Sequence, residues 1–299
     1  MPVTPETKFE RHISISSQDS SILAELSRQC DLSNTELKQA IAKGALWLTR
    51  NQHTQRIRRI KKKLKAGDQL HFYYDKKVLE QSVSQAVLIE DCQDYSVWFK
   101  PYGMLSQGSK WSDHCTIARF VQTQLIPERP VFIVHRLDRA ATGLIMLAHS
   151  KKAARALSAL FERHELEKHY HIIVHGNQGL RPQPDIITEP IDNKPAKSTM
   201  KCLDYDADAN LSLVEVKIDS GRKHQIRKHA AGAALPVVGD RLYGPTDKGY
   251  GENLNLQLCA VSLKFTCPLT GQVRSFSLAE EYQPQLKRAI KLLATNQNR

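Results

Sequence analysis

Apolar positions along this chain come in short runs whose spacing alternates between helical and strand-like. Early on, Ile22, Leu23 and Leu26 form a helical stripe, and LSNTELKQAIAKG predicts a second helix. There Ser33 stands three residues before Glu36, the spacing of a capping box, in which each side chain bonds the other residue's backbone N–H. Leu37, Ala40 and Ile41 make the apolar face, and Gly44 is placed to end the helix because glycine enters the left-handed region without strain. ALWLT, a KAGD turn and the alternating QLHFYY predict strands and their connection. Further on, VLIEDCQDYSVWFKPYGM predicts paired strands, TIARFVQTQL a helix, and VFIVHRL and GLIMLA two strands around a charged turn. SKKAARALSALFERHEL predicts a helix, KHYHIIVHG and NLSLVEVKID strands, and HQIRKHAAGAA a short helix ended by Pro236. Strands dominate and the helices follow no regular βαβ rhythm, so the expected class is α+β rather than a doubly wound sheet.

At roughly 150 residues per domain, 299 residues suggest two domains. Residues 1–11, polar with two prolines, read as a flexible arm; 12–75 as a small N-terminal α/β unit; 76–87 as a linker; 88–285 as a larger domain; and 286–299 as a helical tail. Apolar runs fall well short of the roughly 20 residues a membrane span needs. MPVTPETKFERHISISS lacks the apolar core of a signal peptide. The six cysteines are scattered with no CxxC pair, as reduced thiols would be. The expected location is the cytoplasm, with no membrane partner.

Charge adds a partner. With 43 Lys and Arg against 31 Asp and Glu, the net charge is +12, and nucleic acid is the expected polyanion. Part of that excess sits in one stretch, where Arg50, Arg56, Arg58, Arg59, Lys61, Lys62, Lys63 and Lys65 follow one another with no acid between them. Such a run is ordinarily a solvated face. Joined to the overall excess and to a small helix-pair-and-strand unit, it points to phosphate binding. The unit resembles the S-four-type RNA-binding module, on LKQAIAKGALWLT and KKKLKAGDQLHF, with NQHTQRIRRIKK as a longer and more basic insert than usual.

No phosphate loop, dinucleotide turn, zincin helix or hydrolase elbow occurs in the chain. Three clusters remain as candidate chemistry. The turn between VFIV and GLIMLA holds His135, Arg136, Asp138 and Arg139, and a carboxylate set between arginines is favoured in its ionised form. Such an aspartate is equipped as a nucleophile or general base, or else makes a structural ion pair. SGRKHQIRKHAAG places Arg222, Lys223, Arg227 and Lys228 at a helix start, which suits phosphate or carboxylate. EKHYHIIVHG sets His169, His171 and His175 on one strand face and Tyr170 on the other. No fourth ligand stands at a telling spacing, so no metal is expected. Tyr170, able to stack on a base, is the more useful residue.

These clusters carry a resemblance. HRLDRAATGLIMLA resembles the H-R-L-D-x-x-T-S-G-L signature of the RluA-type pseudouridine synthases. KPYGMLSQ, EKHYHIIVHG, AKSTM, GRKHQIRKHAAGAALPVVGDRLYG and LCAVSLKFTCPLTGQ are similar to that family's further blocks, in the same order, over roughly residues 88–285. The resemblance implies a mixed, mostly antiparallel sheet domain that isomerises uridine in RNA without cofactor or metal. It implies Asp138 as catalytic aspartate, Tyr170 as active-site tyrosine, and Arg227 as the arginine pairing with the aspartate, with Ile226 beside it. Arg136 is expected to organise the loop and insert near the displaced base. Expected RNA contacts are Arg50, Arg56, Arg58, Arg59, Lys61, Lys62, Lys63, Arg139, Arg222 and Lys223. Ribosomal RNA is favoured over tRNA as substrate because of the N-terminal module, and a monomer is expected. The alternative is a non-catalytic RNA-binding or ribosome-assembly factor of the same fold. The chain departs from the family pattern at Gln107, at Ala141-Thr142 and at Cys259, which bears on substrate rather than on Asp138, Tyr170 or Arg227.

Overall fold

A computed structural model describes residues 6–17, 20–245 and 254–297, and divides the chain into two units. The first comprises the described residues up to Ser82 together with Gln107–Phe120; the second, Val83–Ser106 and the chain from Val121 onward. Residues 1–5 of the expected arm lie outside the described residues.

The first unit runs β1 (Lys8–Ser14), α1 (Ile22–Gln29), α2 (Asn34–Ala42), β2 (Leu46–Arg50), β3 (His53–Ile57), β4 (Gln69–Asp75) and the short α3 (Lys76–Leu79). Its four-stranded sheet has the order β1-β4-β2-β3, antiparallel throughout. The capping box forms, with Glu36 N–H donating to Ser33 Oγ at 3.2 Å and Ser33 N–H to Glu36 Oε2 at 2.9 Å. Gly44 follows α2 at φ +91, where any side chain would be strained. Alternation buries Phe9, Leu46, Leu48, Leu70, Phe72 and Tyr74 in one core with Ile22, Leu26, Leu37 and Ile41 of the two helices. β2 and β3 are joined by Asn51 and Gln52, both at positive φ, the conformation that matches the twist of a two-residue hairpin.

Three boundaries differ from the reading of the sequence. Residues 8–11 are not a loose arm: they form part of β1, paired in register with β4 from Lys8↔Asp75, because Phe9 finds a buried aromatic neighbourhood that composition alone does not reveal. The stretch 76–87 is not a plain linker, since Asp75 accepts the Val78 N–H at 3.1 Å and starts α3, burying Leu79. Residues 107–120 belong with the first unit, although they lie inside the expected second domain. Asp113 draws them there, as counter-charge to Arg56 and Arg58.

The second unit holds β5 (Val87–Asp91), β6 (Tyr95–Lys100), β7 (Phe132–Ile133), β8 (Thr142–Ala148), α5 (Lys151–Glu162), β9 (Leu166–His175), β10 (Asp185–Ile187), β11 (Ser198–Asp206), β12 (Leu211–Ile218), α6 (Gln225–Gly232), β13 (Leu258–Thr266), β14 (Val273–Ser277) and α7 (Leu286–Gln297). Helix α4 (Ile117–Gln124) precedes β7 and crosses the boundary between the units in sequence. The sheet runs β10-β11-β12-β9-β13-β8-β6-β5, with β14 on β13 and β7 on β8. Among the described residues only β13 and β8 pair in parallel, so the class is α+β with a mixed, mostly antiparallel sheet, as expected. The central strand β8 is buried from Gly143 to Ala148, which explains its unbroken apolar run. At Gly143, φ is +114 and a Cβ would lie 2.3 Å from the Ala260 carbonyl oxygen, so only glycine lets β8 approach β13 there. All six cysteines are free, and no described helix is long and apolar enough to cross a membrane.

Candidate active site

The turn between β7 and β8 is pinned at both ends. Ser106 Oγ accepts the Leu137 N–H at 3.0 Å and donates to the Leu137 carbonyl at 2.7 Å. His135 accepts the Met146 N–H through Nε2 at 2.9 Å and stacks on Phe161 with ring centroids 4.2 Å apart. Burial pushes the His135 pKa down to about 3, so it serves as a neutral acceptor. On the far side the Arg139 carbonyl accepts the Gly103 N–H at 2.9 Å, and between Leu137 and Arg139 Asp138 presents its carboxylate to a pocket that Arg136, Tyr170, His224, Ile226 and Arg227 also line. The Asp138 side chain keeps 31% exposure, which leaves it reachable from solvent.

Two cationic or protonatable groups face it from the start of α6. Arg227 Nη1 stands 3.9 Å from Asp138 Oδ2, and His224 Nε2 stands 3.8 Å from the same oxygen. His224 is held at φ 56, an uncommon conformation for a non-glycine residue, with Nδ1 3.0 Å from the Tyr243 hydroxyl. Burial lowers the His224 pKa, against the opposing pull of Asp138. Tyr170, on β9, is buried, and burial and the charge of Asp138 both push its hydroxyl pKa up.

The expected pairing of Arg227 with Asp138 is present at 3.9 Å, but it is the looser of two that this arginine makes. The fork of Arg227 goes to Asp240, with Nε and Nη2 donating at 2.7 and 2.6 Å to a carboxylate with no exposure at all. Asp240 also accepts the N–H groups of Leu242 and Tyr243, at 2.9 and 3.1 Å. Burial alone would raise the Asp240 pKa, but these donors hold it below the ordinary carboxylate range. Asp138 therefore meets the remaining edge of the guanidinium across a gap, as a neighbouring charge rather than a bonded partner.

Other expected residues sort by position. Arg136 and Arg139 are exposed on the turn, Lys223 is exposed ahead of α6, and Arg222 is tied by Nε to the Pro195 carbonyl at 3.0 Å. In the first unit, Arg50, Arg56 and Arg58 are engaged by acids of the same unit. Arg50 makes a fork with the buried Asp68 at 2.7 and 2.6 Å, and Arg56 and Arg58 both engage Asp113, Arg56 with only 9% of its side chain exposed. The stretch contains no acid of its own, but the turn at Asp68 and the distant Asp113 supply them. Arg59, Lys61 and Lys63 are exposed and Lys62 is half-buried.

Sequence reasoning missed four contributors: His224, Asp240, Tyr243 and Lys100. The first three stand in the quoted GRKHQIRKHAAGAALPVVGDRLYG block, whose internal pairing no spacing rule exposes. Lys100, ending β6, has no exposure and donates to the carbonyls of Met104 and Pro101 at 2.9 and 3.2 Å. Burial pulls its pKa down to about 7, against the charges of Asp138 and Cys259. Two departures from the family pattern meet each other: Thr142 of β8 pairs in register with Cys259 of β13, whose thiol burial pushes up to about 11.

A pinned carboxylate, two facing positive or protonatable groups and a buried tyrosine, set in a mixed α+β sheet, define an enzyme-type site for charge-assisted chemistry on a polar substrate. Comparison with known proteins gives the family. The sequence profile described as RNA pseudouridylate synthase matches residues 94–232. The tRNA pseudouridine synthase C of Yersinia pestis is 30% identical over 202 residues, covering 58% of this chain and 78% of that protein. The tRNA pseudouridine synthase C of Pectobacterium carotovorum subsp. carotovorum is 32% identical over 203 residues, covering 58% of this chain and 53% of that protein, so the match spans about half of that relative's length. The solved structure of Human RNA Pseudouridylate Synthase Domain Containing 1 shares the fold with a TM-score of 0.57 at 18% identity, covering 72% of this chain and 96% of that one. The chain belongs to the RNA pseudouridylate synthase family.

Proposed function

We propose that this protein isomerises a uridine in structured RNA to pseudouridine, with Asp138 as the catalytic carboxylate. The observation that carries this is the pinned turn, which holds Asp138 3.9 Å from Arg227 and 3.8 Å from His224 beside Tyr170. The reaction breaks the bond from ribose C1′ to uracil N1, turns the base, forms the bond from C1′ to C5, releases the C5 proton and returns one proton to N1. Attack on C1′ and removal of a neighbouring ribose proton both run through a carboxylate oxygen, and Asp138 keeps one within 4 Å of the Arg227 guanidinium. Tyr170 stacks on the uracil and assists loss of the ring proton. Extruding the nucleotide costs a few kcal/mol, which Arg136 offsets by entering the vacated stack and basic side chains offset by phosphate contacts. In this reading Arg139, Arg222 and Lys223 meet the backbone near the site, and Arg59, Lys61, Lys62 and Lys63 meet it on the first unit, which serves as an RNA-binding module.

The module favours ribosomal RNA, whereas the two bacterial relatives named above are tRNA pseudouridine synthases by name. Pseudouridines mapped in both RNA classes, from cells lacking the gene and cells rescued with wild type or Asp138→Ala, decide both reaction and substrate. One site lost and restored only by wild type is the expected result. No site lost would overturn the reading in favour of a non-catalytic RNA-binding factor.

A further inference from the structure

The first unit has a second sheet face that its helices do not cover. Residues alternate along the strands, so Phe9, Leu46, Leu48 and Phe72 point to α1 and α2 while Trp47, His71 and Tyr73 point the other way. The registers Glu10↔Tyr73, His12↔His71 and Trp47↔His71 set these side chains on one continuous face across β1, β4 and β2. Trp111, from the 109–112 turn of the same unit, stands edge-on to Tyr73 with centroids 5.9 Å apart. Trp47, Tyr73 and Trp111 are all only partly buried. Large aromatic groups on a solvated sheet face are the informative kind of exposure.

Cations interleave with the rings. Lys8 Nζ lies over the Trp111 ring at 4.6 Å and pairs with Asp75 at 3.2 Å, Lys110 Nζ lies over the Tyr73 ring at 4.9 Å and pairs with Glu10, and the Arg56 guanidinium lies 4.3 Å from the Trp47 centroid. Exposed lysine–carboxylate pairs of this kind are weak, so a phosphate and a stacking base can displace them. The lysines keep 60% and 48% of their side chains exposed. The ring edges are fixed in place: Trp47 Nε1 donates to the Lys110 carbonyl at 2.9 Å. The unit as a whole holds seventeen Lys and Arg against ten Asp and Glu, so its charge suits a polyanion.

We propose that this open face is a landing platform for unpaired nucleotides of the RNA, whose bases stack on Trp111 and Tyr73 while Lys8 and Lys110 meet the flanking phosphates. The assignment rests on RNA being the substrate class, and it adds a place and a mode of binding apart from the Asp138 pocket. Cross-strand neighbours on one sheet face lie about 5 Å apart and diagonals about 7–8 Å. That spacing suits splayed single-stranded bases, as on other four-stranded sheets backed by helices, and not a base-paired helix. Stacking accepts any base, because every base has a π-face. The platform therefore contributes affinity for unpaired stretches and little sequence choice.

The test is direct binding of the full-length protein to a short oligouridylate and to an RNA duplex of equal length, followed by fluorescence anisotropy of labelled RNA. Wild type should prefer the single strand, and Trp111→Ala and Tyr73→Ala should each weaken that binding roughly ten-fold or more. Trp111→Phe, which keeps a stacking ring, should recover most of the loss, which separates stacking from misfolding. The readout is binding alone and needs no turnover, so failure of the catalytic reading leaves this result intact. Unchanged single-strand affinity in folded Trp111→Ala and Tyr73→Ala would overturn the platform. So would losses of equal size on the duplex, which would assign the face to backbone contacts alone.

Discussion

Replacing Asp240 by Asn tests how the site holds its arginine. The side chains of Arg227 and Asp240 keep 6% and 0% exposure, and their fork is made of bonds of 2.7 and 2.6 Å. Removing one charge of a buried, fully bonded pair costs about 3–5 kcal/mol, because the other charge remains buried without its partner. In a domain of this size each kcal/mol is worth about 2–4 °C, so the second unit should melt roughly 6–20 °C lower. Among the described residues the other carboxylate paired with Arg227 is Asp138, at 3.9 Å. The freed guanidinium should therefore turn toward it and cap the group that must meet ribose. A misplacement of about 1 Å near reacting atoms can cost about 100-fold in rate. The single-turnover rate, followed by release of the uridine C5 hydrogen, should fall by about that factor with little change in RNA affinity. The sign with pH follows from the depressed Asp240 pKa: the pair's contribution is complete above the unfolded value of about 3.9 and is lost as pH falls through the lower folded value. Thermal scans of wild type and Asp240→Asn should thus converge in acid. Equal melting points near neutral pH together with an equal rate would refute the argument.

Asp138→Ala should abolish product while leaving RNA affinity nearly unchanged, read by product mapping and by filter binding; retained turnover removes Asp138 from the chemistry. Lys100 enters the fold with its pKa lowered to about 7, so the unfolded chain binds more protons between about pH 7 and 10 and stability should rise with pH across that window, by up to about 1.4 kcal/mol per unit. Lys100→Met should flatten that slope in urea titrations at several pH values; an unaltered slope assigns it elsewhere. Arg50→Ala should lower the melting point of the first unit through the orphaned, buried Asp68, whereas Lys61→Ala with Lys62→Ala should leave stability unchanged and reduce the salt dependence of RNA binding. The reverse pattern, with stability moved by the lysines and the salt slope by Arg50, would contradict the ion-pair assignment.

Features decided by near neighbours were legible in the sequence. The Ser33–Glu36 box, the left-handed Gly44 and the buried run of β8 follow from local bonding and local burial, and each is found. The strand–turn–strand presentation of Asp138 was legible for the same reason. What escaped depends on partners brought together by the fold. Arg56 and Arg58 looked like free charge because Asp113 stands more than fifty residues away. Arg227 looked like the partner of Asp138 because nothing in the order of residues says that a buried aspartate thirteen positions on takes the stronger, two-pronged bond. Phe9 was lost in a polar stretch because Arg11 stands between it and Ile13 on the inward face, which breaks the periodic signal.

The return of residues 107–120 to the first unit bears on how the protein is made. A chain leaving the ribosome exposes Arg56 and Arg58 well before Asp113 exists to neutralise them. The first unit must therefore wait, incomplete and strongly basic, until the segment beyond residue 107 has emerged. During that interval Arg56 and Arg58 stand without their counter-charge beside a surface made largely of RNA. A shortened protein ending near Ser82 would be arrested in that condition.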